Sequence, residues 1–205
     1  MDQAVVVWRD SIGQVHAKKD LCVHRGTTLS SGWVKNDCLV CPYRSWEYNK
    51  KGDCVLIPQA RNTPIPKKAE TPVYFCQERY GIIWVALKAP VYPLPEIKQF
   101  DQKNWKFVET EPFEWQSDAY RQLENLTDFG HFPWVHPGLL GDPLPEVPEC
   151  KVETKGHVLH YAIVRPESTN SEEFPIFGNE EKQNPSRQSQ YELHLPYTIS
   201  LRIGW

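Results

Sequence analysis

Cys22-Val23-His24-Arg25-Gly26 and, beyond residues 27 to 40, Cys41-Pro42-Tyr43-Arg44-Ser45-Trp46 decide how this chain is read. A Cys-x-His pair on one loop and a second Cys on another put two thiolates and an imidazole around one small inorganic site. The competing account is that Cys22, His24 and Cys41 are ordinary interior residues, since free Cys is among the most buried types. Cys38-Leu39-Val40-Cys41 is also a Cys-x-x-Cys, a spacing found in zinc sites and redox disulfides. No second Cys-x-x-Cys or His-x-x-His accompanies it, so Cys38 reads as core, and Cys54, Cys76 and Cys150 stand in apolar or strand contexts.

Outward from these loops, the chain has 205 residues, 40% apolar and 24% charged, which suits one moderately large domain or two small ones. Lys and Arg total 23 against 26 Asp and Glu, a formal charge of -3 that leaves no polybasic footprint for nucleic acid. The longest apolar runs, such as Ile82 to Leu87, are too short to span a membrane, and the N-terminus lacks the pattern of an export signal. A soluble, cytoplasmic protein with reduced cysteines is expected. Eight Trp and eighteen Pro favour a strand-rich, loop-rich fold over a helical bundle.

Three hairpins are expected in the first hundred residues. Val5–Trp8 pairs with Gln14–Ala17 around Asp10-Ser11-Ile12-Gly13, Trp46–Asn49 with Cys54–Ile57, and Val73–Gln77 with Gly81–Leu87. Pro90-Val91-Tyr92-Pro93-Leu94-Pro95 cannot continue a central strand or a helix and marks a domain boundary. Beyond it, Lys106 to Trp115 reads as a strand. Ser117 to His131 reads as an amphipathic helix with Tyr120, Leu123, Leu126 and Phe129 on its stripe and Ser117 as N-cap. Val147 to Val164 forms a further hairpin around Lys155-Gly156, and Tyr191 to Ile203 one last strand broken at Pro196. Pro166 to Ser189 is expected to be a mobile loop.

The helix leads into Asn125-Leu126-Thr127-Asp128-Phe129-Gly130-His131-Phe132-Pro133-Trp134-Val135-His136. Asn125, Asp128 and His131 recur at a spacing of three and share one helical face. His131 and His136 lie about 140° apart on an ideal helix. They meet at one metal only if the helix distorts, which Gly130 and Pro133 make easy. Two imidazoles and a carboxylate form the facial triad that leaves positions on iron(II) open to dioxygen and substrate.

Cys22-x-His24 with Cys41-Pro42-Tyr43, together with Arg25-Gly26 and Trp46, resembles the Rieske motif of the alpha (oxygenase) subunit of Rieske non-haem iron oxygenases. The string Asn-x-x-Asp-x-x-His-x-x-x-x-His resembles the second signature of the same family. The likeness extends over most of the chain. Cys76-Gln77-Glu78-Arg79-Tyr80-Gly81 and Glu124-Asn125 draw it towards the group with vanillate demethylase and the cyanobacterial tailoring oxygenases of the saxitoxin pathway. The resemblance implies an all-β Rieske domain over residues 1–95, its first strand missing. The first part of an α+β catalytic domain, an antiparallel sheet with a helix, then covers 96–205. It implies a [2Fe-2S] cluster on Cys22, His24 and Cys41, mononuclear Fe(II) on His131 and His136, and Asp128 as the catalytic carboxylate bridging the two centres. The implied partners are a reductase or ferredoxin, O2 and a small organic substrate to be hydroxylated or demethylated. Sister chains are implied to form a trimeric ring in which Asp128 faces the neighbour's cluster loop.

Two departures from the family pattern are equally specific. The second histidine ligand belongs at position 44, where this chain has Arg44, with Ser45 in place of a glycine. A guanidinium stays protonated and has no lone pair to give. The family's third iron ligand is a carboxylate on a later helix, and after His136 the only Asp is Asp142, too close in sequence to replace it. The expectation is an internal fragment, a truncated product or a decayed copy. Two functions stay open: an oxygenase component, or a non-enzymatic remnant without a competent redox chain.

Overall fold

The computed structural model describes residues 3–136, 146–147, 149–166 and 186–204. The chain divides into two compact units, Met1–Pro93 and Leu94–Trp205.

The first unit is all-β. β1 (Val5–Arg9), β2 (Val15–Lys19), β7 (Val73–Arg79) and β8 (Ile82–Ala86) form one antiparallel sheet in the order β1-β2-β7-β8. β3 (Trp33–Lys35), β4 (Cys38–Val40), β5 (Glu47–Tyr48) and β6 (Cys54–Leu56) form the second in chain order. All three expected hairpins are present, with Trp8 opposite His16, Glu47 opposite Leu56 and Phe75 opposite Ala86. The tight turns rest on left-handed residues: Tyr80 and Gly81 have φ of 60° and 73°, Asn36 and Asp37 of 49° and 59°. Both pairs thus have positive φ at each central position, which matches the right-handed twist of the strands they join.

Val6, Trp8, Leu29, Leu39, Tyr48, Cys54 and Ala69 fill the core between the sheets, and Cys22 and Cys41 are part of it. Lys18 on β2 is fully buried there. Its ammonium donates to the Asn49 carbonyl at 2.8 Å and lies 4.7 Å from the centroid of the Trp8 ring and 5.8 Å from that of Tyr48.

In the second unit, β9 (Glu153–Lys155), β10 (Val158–Pro166), β11 (Ser186–His194) and β12 (Thr198–Gly204) form an antiparallel meander. Tyr161 stands opposite Tyr191 and Ile163 opposite Ser189, so the period-2 alternation turns these four side chains to one buried face. Phe129 and Phe132 pack on that face, with ring centroids of Phe129 and Tyr191 5.3 Å apart.

Five expectations need correction. Lys106 to Trp115 forms no strand: its residues are exposed and no neighbour in the described chain pairs with them. The helix, α1, spans Ala119–Thr127, and its N-cap is Asp118, whose carboxylate accepts from the Tyr120 amide at 2.8 Å, not Ser117. The chain leaves α1 at Asp128 and starts a second short helix, α2 (Phe132–Val135), so Asn125, Asp128 and His131 are not on one continuous helix. Tyr191 to Ile203 is not one strand but two, folded back at Leu195-Pro196 so that Leu193 faces Ile199. Of the loop expected over 166–189, residues 167–185 lie outside the described residues, while Pro166 ends β10 and residues 186–189 open β11, because they pair with its neighbours in the sheet.

Candidate functional site

Two loops of the first unit, one following β2 and one following β4, close in the same manner. The Gly26 amide donates to the Cys22 carbonyl at 2.9 Å and the Cys22 amide to the Thr27 carbonyl at 2.8 Å. The Ser45 amide likewise donates to the Cys41 carbonyl, and the Cys41 amide to that of Trp46, both at 2.9 Å. Each loop therefore bonds its cysteine to the residues four and five further on, and the fourth is left-handed in both, Gly26 at φ 78° and Ser45 at φ 54°.

Cys22 and Cys41 are each 1% exposed. Burial pushes the Cys41 thiol up, the amides of Tyr43 and Arg44 pull it back, and the neighbouring Cys22 thiol lies within hydrogen-bonding reach. Tyr48 reaches Cys22 Sγ from β5 with its hydroxyl oxygen at 3.2 Å. His24 is half-buried and stacks on Trp46, centroids 4.5 Å apart and planes inclined by 11°. Burial first, then the charges of Arg44 and Arg25, hold its imidazole below the ordinary histidine value, favouring the neutral form that can ligate a metal. Arg44 is exposed, its guanidinium carbon 5.6 Å from the Tyr43 ring centroid, and its carbonyl accepts from Gln59 Nε2 at 3.0 Å.

Two adjacent buried thiols, backbone amides directed at one of them and a neutral imidazole are the chemistry a two-iron, two-sulfide cluster asks of a protein. Cys22, Cys41 and His24 fit that group; Arg44 does not, because all its nitrogens are donors. Among the described residues no three His, Cys, Asp or Glu side chains converge on a single ion. A two-iron cluster needs separate ligand pairs at its two ends and not one convergent set.

In the second unit the break between α1 and α2 brings His131 and His136 together, ring centroids 5.3 Å apart, with the Phe132 ring edge-on to both. Asp128 sits at the head of the break. One of its oxygens accepts from the Gly130 amide at 2.8 Å, and the other lies 3.4 Å from His131 Nδ1 without the alignment of a hydrogen bond. That Nδ1 is buried and unsatisfied. Two imidazoles on opposite ends of a four-residue helix, one with an orphaned nitrogen, fit part of an iron(II) site. Asp142 lies outside the described residues.

The sequence reading missed Tyr48 and Lys18. The alternation Trp46-Glu47-Tyr48, which puts Tyr48 on the face of Trp46, was the available signal for the first. Lys18 in a strand carried none.

Residues 1–74 match the Rieske [2Fe-2S] domain, and residues 115–205 match the vanillate O-demethylase oxygenase C-terminal domain. Methylxanthine N1-demethylase NdmA of Pseudomonas putida is 43% identical over 192 residues, 92% of this chain and 52% of that protein. Methylxanthine N3-demethylase NdmB of the same organism is 30% identical over 197 residues, 93% of this chain and 53% of that one. The solved structure of NdmA with caffeine superposes with a TM-score of 0.84, covering 98% of this chain and 56% of that one, at 31% identity over the superposed residues. The chain spans about half the length of the curated relatives it matches. With both signatures in order on two units that match two successive domains, the chain belongs to the family of Rieske oxygenase alpha subunits.

Proposed function

We propose that this chain serves as the oxygenase component of a Rieske system, carrying out O2-dependent hydroxylation or demethylation of a small organic substrate. The observation that carries this is the pairing of sites: buried thiols beside a neutral imidazole in one unit, and two converging histidines with a flanking carboxylate in the other. When bound, a [2Fe-2S] cluster would supply single electrons and mononuclear iron(II) the activation of O2.

Within that scheme Cys22, Cys41 and His24 hold the cluster, and Trp46 fixes the plane of the His24 ring by stacking. His131 and His136 hold iron(II). Asp128, held at the head of the break by the Gly130 amide, is the carboxylate that links the two centres. A reductase or ferredoxin supplies electrons, the chain acts in the cytoplasm, and sister chains assemble as a ring. The domains run over residues 1–95 and 96–205. NdmA is named for N-demethylation of methylxanthine, which makes an N-methyl purine the first substrate to test.

The experiment is turnover of the iron-loaded protein with a reductase, NADH and methylated purines, following formaldehyde release. Release that requires O2 and disappears in His131→Ala supports the proposal. Arg44 favours a second reading, a remnant with no competent redox chain, and iron and acid-labile sulfide both well below two per chain would decide for it.

A further inference from the structure

β10 carries Tyr161, Ile163 and Arg165 at alternate positions, with Ala162 and Val164 turned outward and exposed. The third side chain on the buried face is thus a guanidinium, in a residue only 6% exposed. A cation is costly to bury unless it is hydrogen-bonded, so its bonds indicate its role. Arg165 Nη2 donates to the Phe129 carbonyl at 2.8 Å, and the guanidinium carbon stands 5.4 Å from the centroid of the Phe132 ring.

Both of those residues belong to the break between α1 and α2. The last bond of α1 runs from the Asp128 amide to the Asn125 carbonyl, and α2 begins at Phe132. The Phe129 carbonyl falls between the two ladders, and among the described residues no backbone amide donates to it. Phe129 is buried, so that carbonyl needs a donor from elsewhere in the fold. Arg165 supplies it from the sheet. The one guanidinium therefore grips the break on both sides of His131, two residues before it and one after. Phe132 in turn meets both imidazoles, with ring centroids 4.8 Å from His131 and 6.2 Å from His136. A helix of four residues without a side-chain cap cannot hold this arrangement by itself.

We propose that Arg165 is a positioning residue for the His131–His136 pair. By bonding the Phe129 carbonyl and lying over the Phe132 ring, it fixes the break in the shape that brings the two imidazoles side by side. It acts through Phe129 and Phe132, and the role rests on the iron(II) reading above.

The test uses the full chain with Co(II) as the metal probe, followed by visible absorption. In the metal-free chain, nuclear Overhauser contacts among the Phe132, His131 and His136 rings are the second readout. The part of the Co(II) spectrum lost in His131→Ala is the signal. Arg165→Met keeps the length of the side chain without its donors. It should bind Co(II) roughly tenfold to a hundredfold more weakly, the usual cost of losing a group that orients a ligand, and should lose the contact between the two imidazoles. Ile163→Ala loosens the same face of the same strand. It should lower the melting temperature and leave Co(II) affinity unchanged. Arg165→Lys keeps the charge and a donor but not the planar fork, and its affinity should fall between these two. Wild-type affinity and ring contacts in Arg165→Met overturn the proposal. So does an Ile163→Ala chain that binds Co(II) as weakly as Arg165→Met, since any loosening of the sheet would then suffice. Should Arg165→Met not fold, Arg165→Lys is read in its place, and an affinity equal to that of Ile163→Ala overturns the proposal. In each of these outcomes the iron(II) reading stands. A wild type that shows the ring contacts but no Co(II) signal overturns that reading, and the role of Arg165 with it.

Discussion

Ser45 occupies a position where its loop needs a left-handed residue, and the matching place in the other loop is filled by Gly26. A side chain there costs about 1–2 kcal/mol against glycine, less the extra freedom glycine has when unfolded. Ser45→Gly is therefore expected to raise stability by about 1 kcal/mol, seen as a higher denaturant midpoint at unchanged slope; a loss would mean that the hydroxyl contributes more than the strain removes. Lys18 presents the opposite problem, a charge the interior does not want. Burial lowers its ammonium from 10.5 to about 8, against the pull of Cys38 and Asp53. Such a drop corresponds to about 3 kcal/mol, part of it offset by the Trp8 and Tyr48 ring faces, which favour the cation. Between pH 8 and 10.5 the unfolded chain keeps a proton that the folded one has lost, so this group's contribution to stability rises with pH across that window. Below pH 8 the full cost stands. Wild type should gain about 1–3 kcal/mol relative to Lys18→Met between pH 7.5 and 10 in urea unfolding; parallel stability curves would mean that the ammonium is not strained.

At the scale of elements, what could be read from the sequence was whatever a turn announces. Gly13, Gly52, Gly81 and Gly156 all have positive φ, and each sits in a hairpin that alternation and turn residues made visible. Asn36-Asp37 makes an equally tight turn without a glycine, and there the β3–β4 pairing went unread. Leu195-Pro196 sends β11 back into β12 at a point where an apolar stripe with one Pro looked like a single interrupted strand. Alternation continues across such a turn, so pattern alone cannot see the reversal. Lys106 to Trp115 failed for the converse reason, since a β-rich composition is no strand until a neighbour supplies hydrogen bonds. Cys22, His24 and Cys41 were legible because each lies on a short loop that closes locally. Tyr48 reaches Cys22 from another strand, and Lys18 meets the Tyr48 ring from a third, both matters of topology. The start of α1 is a finer case, with two good caps adjacent. Asp118→Ala should cost about 1 kcal/mol and Ser117→Ala a few tenths at most, compared by amide exchange at Tyr120 and Arg121; the reverse order would restore Ser117 as the cap.

For the molecule as a whole, the two hydrophobic clusters share no residue. One is built from Val6, Trp8, Leu29, Leu39 and their neighbours, all before residue 93, the other from Phe129, Phe132, Tyr161, Ile163 and Tyr191, all after it. Each unit thus has a core of its own, which is what independent cooperative unfolding requires. Calorimetry of the intact chain should resolve two transitions. Leu29→Ala removes a fully buried side chain from the first cluster and Phe129→Ala the central ring of the second. Truncations of this kind cost about 2–5 kcal/mol, enough to lower the melting temperature of a domain of this size by about 10 °C or more. Leu29→Ala should move one transition, Phe129→Ala the other, and the double variant both by the sum. A single transition displaced by either change would mean that folding is cooperative across the whole chain. In that event a ligand on the Cys22–Cys41 loops would also stabilise the turn that carries His131 and His136, and cluster loading would shift the Phe129→Ala midpoint. With two independent units it leaves that midpoint where it is.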